Sequence, residues 1–392
     1  MHIAILGRQP ALGIAELEQL YGSREVRWFS DSSALIDAPA FDFERLGGSQ
    51  KAGRVVAELS GDWRRVSMQI VKAYVDAWES HEGKITLGIS AYGFKVGPRD
   101  IQKTGLILKS KLKERGVSLR LIPNSDLALN TATSHHNKLG LSDNHVELLV
   151  VRANNGNVIV AESVGAQNIT AIAARDQARP KTDAFVGMLP PKLARMMVNM
   201  VAGSTETESN RPRTLLDPFC GTGVVLQEAS LLGYDVIGTD LSAKMIDYSR
   251  INLDWLGQKH GLSNNVTILE GDAMTYTWPR TIDAIACETY LGQPFSAPPS
   301  PAKLEEVVGN CNHIISTFLR NIASQLDSGT PLCVAVPAWR DSAGRFTHLP
   351  LIDQLSALGY TRVALKNARD EQLLYYRENQ VVARELLLLK KA

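Results

Sequence analysis

The sequence predicts an α/β protein: a Rossmann-like, largely parallel sheet in the C-terminal half, preceded by small α/β domains. Three observations predict it. Residues 214–226 (TLLDPFCGTGVVL) pass from a short apolar run through a glycine-flanked turn into a helical run, the layout of a nucleotide-binding βα unit. Three more strand-like runs follow, and each delivers a carboxylate at its end: Asp240, Asp272 and Glu288. The N-terminal half alternates helical and strand-like patterns over short distances.

In chain order, residues 1–55 read as a first small α/β subdomain, with a strand at 2–6, a helix over 12–21 and further short strands. Residues 56–165 read as a second. It has a helix around 66–78, a strand at 84–90, a helix over 104–115, and strands near 118–122, 145–152 and 157–164. Residues 166–212 form a link interrupted by Arg179-Pro180 and Pro190-Pro191. Its helix over 192–201 repeats Leu193, Met196, Met197 and Met200 at helical spacing, which marks a core-facing side. Residues 203–212 are polar and turn-rich, the composition of an exposed loop.

Residues 213–392 make the last domain. A strand over 214–216 ends on Asp217-Pro218, and the turn Gly221-Thr222-Gly223 leads into a helix over 224–232. A second strand, 234–239, ends on Asp240, 23 residues after Asp217. The third, 266–270, is followed by Gly271-Asp272-Ala273, and the fourth, 282–287, by Glu288-Thr289-Tyr290-Leu291-Gly292. Prolines 294, 298, 299 and 301 cluster in a loop, followed by a helix over 303–326 and a strand over 332–336. A helix over 351–358 and strands at 362–365, 373–377 and 381–389 complete the sheet.

Glycines in the turn let a ligand approach the backbone, and the helix behind it presents free N–H groups. A carboxylate at Asp217 would repel a pyrophosphate. It suits a cationic ligand such as the amino-acid end of S-adenosylmethionine. Asp240 stands where an acid accepts both ribose hydroxyls of an adenosine, and Asp272 is placed to take the adenine amino group. As a plainer alternative, all three acids are helix caps and turn formers.

The segments Asp217-Pro-Phe-Cys-Gly-Thr-Gly, Gly238-Thr-Asp240-Leu-Ser-Ala-Lys-Met, Asn252-Leu and Gly271-Asp272-Ala resemble class I methyltransferases. More closely, they resemble the THUMP-domain tRNA guanosine-N2 methyltransferases of the position-10 type. Arg175-Asp-Gln-Ala-Arg179-Pro180 and Pro190-Pro-Lys192-Leu-Ala-Arg195-Met-Met-Val-Asn199 resemble the stretch before that family's catalytic domain. The likeness is firm over residues 165–292 and looser upstream. It implies S-adenosylmethionine bound by Asp217, Phe219, Gly221, Thr222, Gly223, Asp240, Leu241, Asp272 and Ala273, with Pro190 and Lys192 near its methionine end. It also implies a THUMP-like domain over 56–165 that grips the 3′ end of tRNA and sets the distance to the target base. The run Thr133-Ser-His-His-Asn-Lys138-Leu falls where that family carries a related N-K-L stretch, which makes His136, Asn137 and Lys138 candidate RNA contacts.

Charge distribution points the same way. Residues 1–200 carry 25 Lys/Arg against 20 Asp/Glu, and residues 201–392 carry 17 against 21. Lys103, Lys109, Lys111, Lys113, Arg115 and Arg120 concentrate the basic excess on and just after one helix, a pattern that holds a polyanion through its phosphates. An ordinary solvated helix face has the same look.

An exocyclic amine is a weak nucleophile because its lone pair is delocalised into the ring. Amino-methyltransferases of this fold place Asp or Asn, then Pro-Pro, then Tyr or Phe at the fourth strand end, so that acceptors hold both N–H bonds and the aromatic ring stacks on a flipped base. Here Glu288-Thr289-Tyr290 departs from that pattern, with Glu for Asp and no proline pair. Glu288, Thr289 and Tyr290 are the candidate catalytic residues: Glu288 is expected to hold the amine and Tyr290 to pack on the base. An acidic strand cap beside a core tyrosine, without catalysis, is the alternative. Cys287 lies inside the apolar strand and reads as a buried, inert thiol.

The expected function is methylation of an exocyclic guanine amine, N2, in tRNA. Two alternatives stay open: a DNA amino-methyltransferase, and a tRNA-binding protein with a cofactor pocket but no catalysis. Four scattered cysteines without C-x-x-C spacing suggest reduced thiols in a cytoplasmic protein, with no metal site expected. No apolar run reaches membrane-spanning length. Oligomeric state is not legible.

Overall fold

A computed structural model describes residues 1–183, 188–203 and 213–392. They divide into two compact units: Met1–Pro10 with Ser23–Ala171, and Ala11–Gly22 with Ile172–Ala392. The polar run expected to be an exposed loop, 203–212, lies outside the described residues from 204 on. No helix among the described residues is long and apolar enough to cross a membrane.

The first unit is built on one mixed sheet. Its chain order is β1 (His2–Leu6), then α1 (Pro10–Tyr21), most of which belongs to the second unit, then β2 (Val26–Ser30), β3 (Ser33–Ile36) and β4 (Ser49–Ser60). There follow α2 (Trp63–Ala77), β5 (Lys84–Tyr92), α3 (Pro98–Glu114), β6 (Ser118–Leu121), α4 (Thr131–His136), β7 (His145–Arg152) and β8 (Asn157–Ala166). The strands are ordered β2-β3-β1-β4-β8-β7-β5-β6. The boundary expected at residue 55 falls inside β4, which pairs with β1 on one side and β8 on the other. One sheet therefore runs through both of the subdomains the sequence suggested.

Local signals explain both long helices. Asp62 caps α2 by accepting from the Arg65 N–H at 2.9 Å, and Pro98 opens α3, where Asp100 accepts from the Gly97 N–H at 3.0 Å. Their apolar stripes, Val66, Ile70 and Tyr74 on α2 and Ile101, Leu108 and Leu112 on α3, join Ile85, Leu87 and Ile89 of β5 in one core.

The second unit begins with α5 (Ile169–Gln177), whose first residues fall in the first unit, and α6 (Pro191–Ala202). Next come β9 (Thr214–Asp217), α7 (Val224–Leu231), β10 (Asp235–Asp240), α8 (Ala243–His260), β11 (Val266–Glu270), β12 (Ala284–Glu288) and α9 (Pro301–Ala323). The chain ends with β13 (Pro331–Arg340), β14 (Phe346–Thr347), β15 (Tyr360–Arg362), β16 (Leu374–Tyr375) and β17 (Val382–Lys391). The main path is β11-β10-β9-β12-β13-β17-β15, with β14 on β13 and β16 on β17. Every pair from β11 to β13 is parallel, and β17 enters antiparallel between β13 and β15. Successive strands are added toward one edge from β9 to β11 and toward the other from β12, and ligands of doubly wound sheets bind beyond the carboxyl ends at such a switch of strand order.

Two expectations in this unit need correction. The helix expected over 351–358 is a 3₁₀ turn at Pro350–Gln354 followed by turns, because its apolar residues Leu351, Leu355 and Leu358 fill a core without a capped, polar-faced helix around them. The strand expected at 362–365 lies earlier, at β15, and the one expected at 373–377 shrinks to the two-residue β16; both pair along β17.

Gly238 on β10 shows how tightly the turn packs. A Cβ there would meet Leu226 Cδ1 at 2.4 Å and Cys220 Cβ and Ile268 Cδ1 at 3.1 Å. Gly238→Ala is therefore expected to cost about 1–3 kcal/mol through overpacking, measurable by urea unfolding. An unchanged midpoint would refute it.

Candidate active site

Asp217 closes β9 and is 2% exposed. Its Oδ1 accepts from the Phe219 N–H at 3.1 Å. Burial pushes its carboxyl well above the usual range, and two further carboxylates, Asp240 and Glu288, push it the same way. Asp240 closes β10. Its Oδ2 accepts from the Gly221 N–H at 3.0 Å and its Oδ1 from the Ser242 N–H at 2.9 Å. The carboxylates at the ends of β10 and β12 thus both act on the one at the end of β9.

The turn between β9 and α7 is held from beneath. Gly223 takes a left-handed conformation (φ 81°) as the cap of α7, and Gly221 has φ 51°. The Ser249 hydroxyl donates to the Gly221 carbonyl at 2.7 Å, and Asn252 Nδ2 donates to the Thr222 carbonyl at 2.9 Å. Asn252 also exchanges two 2.9 Å hydrogen bonds with the Lys181 backbone, so the chain before α6 is tied to this turn. A Cβ on Gly221 would meet nothing nearer than the Phe219 carbonyl at 4.0 Å, so the turn's backbone is open to a ligand.

Other expected cofactor residues fall around this centre unequally. Phe219 packs edge-on against Phe318, with ring centroids 5.1 Å apart. Asp272 follows β11 and accepts from the Met274 N–H at 2.9 Å, which gives it a turn-forming role as well. Ala273 is buried, whereas Leu241 is 70% exposed. Pro190 caps α6, which packs against β12 and β13, and burial lowers the Lys192 ammonium.

At the end of β12 the three expected catalytic residues separate. Tyr290 is 44% exposed, as a stacking ring needs to be. Thr289 is buried, and both its N–H and its hydroxyl donate to the Ala335 carbonyl at 3.0 Å. That takes its side chain out of contact with a substrate and corrects its expected catalytic role: it anchors the strand end. Glu288 is mostly buried and paired with Arg384 of β17, whose Nε donates to its Oε1. Arg384 was missed from sequence. The available signal was a charged pair, Arg384-Glu385, inside an otherwise apolar terminal strand. Cys287 is fully buried and its thiol is pushed up, consistent with an inert side chain.

The basic residues all lie in the first unit. Lys103, Lys109, Lys111 and Lys113 are exposed along α3. Arg115 is partly neutralised by Glu79 at 2.9 Å and Asp76 at 3.9 Å. Between α2 and α3 lies a cavity of about 390 Å³, lined in part by Met68, Lys72, Ile107, Lys111 and Arg115. Arg120 donates to Asn137 Oδ1 at 3.4 Å, which brings β6 to the end of α4. His136 and Lys138 are exposed there, and Lys138 adopts a left-handed backbone (φ 53°). His135 and His136 lie with their rings 5.7 Å apart.

Residues 215–311 match the family described as methyltransferase domain. A tRNA (guanine(10)-N2)-dimethyltransferase of Methanothermobacter thermautotrophicus is 34% identical over 168 residues, 42% of this chain and 44% of the relative. One of the same name from Pyrococcus abyssi is 35% identical over 113 residues, 28% of this chain and 30% of the relative. These matches span less than half the length of either relative. Among solved structures, TrmN from Thermus thermophilus superposes with a TM-score of 0.54 at 18% identity, covering 100% of this chain and 99% of that one. Strand order, the match over 215–311 and this superposition agree: the C-terminal unit has the class I methyltransferase fold.

Proposed function

We propose that this chain methylates the exocyclic N2 amine of a guanine in tRNA, with S-adenosylmethionine as methyl donor. The observation that carries the reading is the buried Asp217 carboxylate, with Asp240 and Glu288 both acting on it and Asp240 bound to the open glycine turn. Among the described residues, the charges acting on Asp217 are themselves acidic, so the pocket suits a ligand that brings positive charge. The names of the two relatives support guanine in tRNA as the substrate. The exposed lysines of α3 and the Lys138 loop support a THUMP-like, RNA-gripping role for residues 56–165.

When bound, S-adenosylmethionine supplies a methyl group on a sulfonium. The chain's residues do the rest. Asp217 complements the cationic amino-acid end, Asp240 the ribose hydroxyls, and Asp272 the adenine edge. Glu288 accepts an N–H of the target amine and turns its lone pair outward, while Tyr290 stacks on the flipped base. Positioning of the two reactants supplies much of the rate.

The test offers labelled S-adenosylmethionine to unmodified tRNA and to duplex DNA in parallel, with nucleosides identified by mass spectrometry. Label in N2-methylguanosine is the expected result. Label only in DNA overturns the substrate. No label, with cofactor and tRNA still bound, favours a binding protein.

Asp217→Asn is expected to weaken S-adenosylmethionine binding by about 10- to 100-fold, the worth of one charge-assisted contact, as read by calorimetry. It should also change the pH dependence of stability. The folded-state carboxyl sits above its unfolded value, so the folded state holds that proton longer. Stability is therefore lost as pH rises from the ordinary carboxylate range toward the raised value. Without bound cofactor, the fall in Tm between pH 5 and pH 8 should be smaller in the variant, by the principle that removes this group's linkage. An equal fall in both proteins would contradict the assignment.

A further inference from the structure

The acceptor at the end of β12 is held by a residue from a strand that is not its neighbour. Glu288 closes β12, Arg384 belongs to β17, and β13 runs between them. In the ladders Glu288 stands beside Ala335 and Arg384 beside Pro337. Positions 335 and 337 share one face of β13, so all four residues lie on the same side of the sheet. Alanine and proline carry no long side chain, so the guanidinium crosses β13 unobstructed and donates through Nε to Glu288 Oε1. The side chains are 10% exposed for Arg384 and 16% for Glu288. A cation set this deep between Ala383 and the leucines at 386–389 is expensive to bury without a partner. Among the described residues, Asp217, on which Asp240 also acts, and the inert Cys287 are further titratable groups near Glu288, and Tyr375 stands beside Arg384 in the β16–β17 ladder. Glu385, next to Arg384, has its own partner in His348 at 2.6 Å.

We propose that Arg384 is a positioning residue for methyl transfer: it holds the charged Glu288 carboxylate by Oε1 and leaves Oε2 to accept an N–H of the target amine. This role rests on the function proposed above. It accounts for the long Glu288 side chain, which reaches toward β17 and gains an anchor there in place of the proline pair. Burial pushes the Glu288 carboxyl up, and the permanent charge of Arg384 pulls it part of the way back.

The test compares wild type, Arg384→Gln and Arg384→Lys in the full chain by two readouts. The first is the Glu288 carboxyl titration, followed by carbon-13 NMR with Glu288→Gln as the assignment reference. The second is the pH profile of kcat for tRNA methylation. In Arg384→Gln the titration midpoint and the acid limb of kcat are both expected to rise by about one to three pH units, so that activity lost at low pH returns at high pH. Arg384→Lys should keep the midpoint near wild type but lose the guanidinium's fixed geometry. Its kcat is expected to fall about tenfold while KM for tRNA changes less than about twofold. If Arg384→Gln does not fold, the lysine variant decides, and a kcat equal to wild type overturns the role. An active wild type whose Glu288 midpoint is unmoved by Arg384→Gln removes this role alone. A wild type that methylates nothing removes the proposed function and this role with it.

Discussion

Glu228→Ala is expected to destabilise the C-terminal unit by about 3–5 kcal/mol, the range for breaking a buried ion pair from one side. Glu228 on α7 is fully buried and receives two arginines. Arg175 of α5 binds it through Nε and through Nη2 at 3.3 Å, and Arg195 of α6 through Nε at 2.7 Å. This one carboxylate therefore ties both helices of the linking segment to the helix that follows the glycine turn. Alanine would leave two largely buried cations, 7% and 16% exposed, without the acid they share. Glu228→Gln keeps hydrogen-bonding capacity without the charge and should lose less. Urea unfolding of the three proteins measures both steps, and a loss below about 1 kcal/mol for alanine would show that other partners replace Glu228. Because α7 carries the turn, cofactor affinity should fall along with stability.

Lys51→Met is expected to cost the first unit a comparable amount, about 3–5 kcal/mol. Lys51 on β4 and Glu147 on β7 are 2% and 0% exposed and paired with each other. The Lys51 ammonium also donates to the Leu129 carbonyl at 2.7 Å and to the Ser90 hydroxyl at 3.4 Å. Methionine would leave the buried Glu147 carboxylate without its cation; the Ser90 hydroxyl still donates to its Oε1 at 2.5 Å, but its Oε2 has no hydrogen-bond partner among the described residues. Replacing both members, Lys51→Met with Glu147→Leu, should recover much of the loss, since an apolar pair of similar volume often matches a buried ion pair. Recovery should be incomplete because the Leu129 carbonyl loses its donor. Equal stability of the single and double variants would show that the cost lies in packing and not in the uncompensated charge.

The parts of this fold that were legible in the sequence are those whose signals are local. β9, its glycine turn and α7 were readable because an apolar run, a left-handed glycine and a helix start fall within 13 consecutive residues. The acids at 217, 240 and 288 were placed at one sheet edge because parallel strands present their carboxyl ends together. What escaped depends on contacts between residues far apart in the chain. Arg384 meets Glu288, and Lys51 meets Glu147, each across 96 positions, and neither spacing leaves a periodic trace. The division at residue 55 failed for a related reason. β4 changes from a buried to an alternating pattern partway along its length, which resembles the end of one element and the start of another. Thr289 is a candidate only as the middle residue of the Glu288-Thr289-Tyr290 motif. Only the paired strand shows its hydroxyl bound to the Ala335 carbonyl.

The position of α1 has a consequence for how the protein comes into being. Its residues 11–22 are part of the second unit, where Asn199 donates to Glu16 at 2.6 Å and the Lys366 and Asn367 N–H groups donate to Glu18 at 2.7 and 2.9 Å. Glu18 and Asn367 are 349 positions apart. At roughly 5–20 residues per second of translation, the helix emerges roughly 20–70 seconds before its last partner exists. During that interval the apolar side chains of Leu12, Ile14 and Leu17, fully buried in the finished protein, have no permanent seat. The nascent chain therefore carries a stretch that chaperones can recognise until residues 366 and 367 have been made. A protease fragment starting at Ile172 would begin life without the piece that closes it.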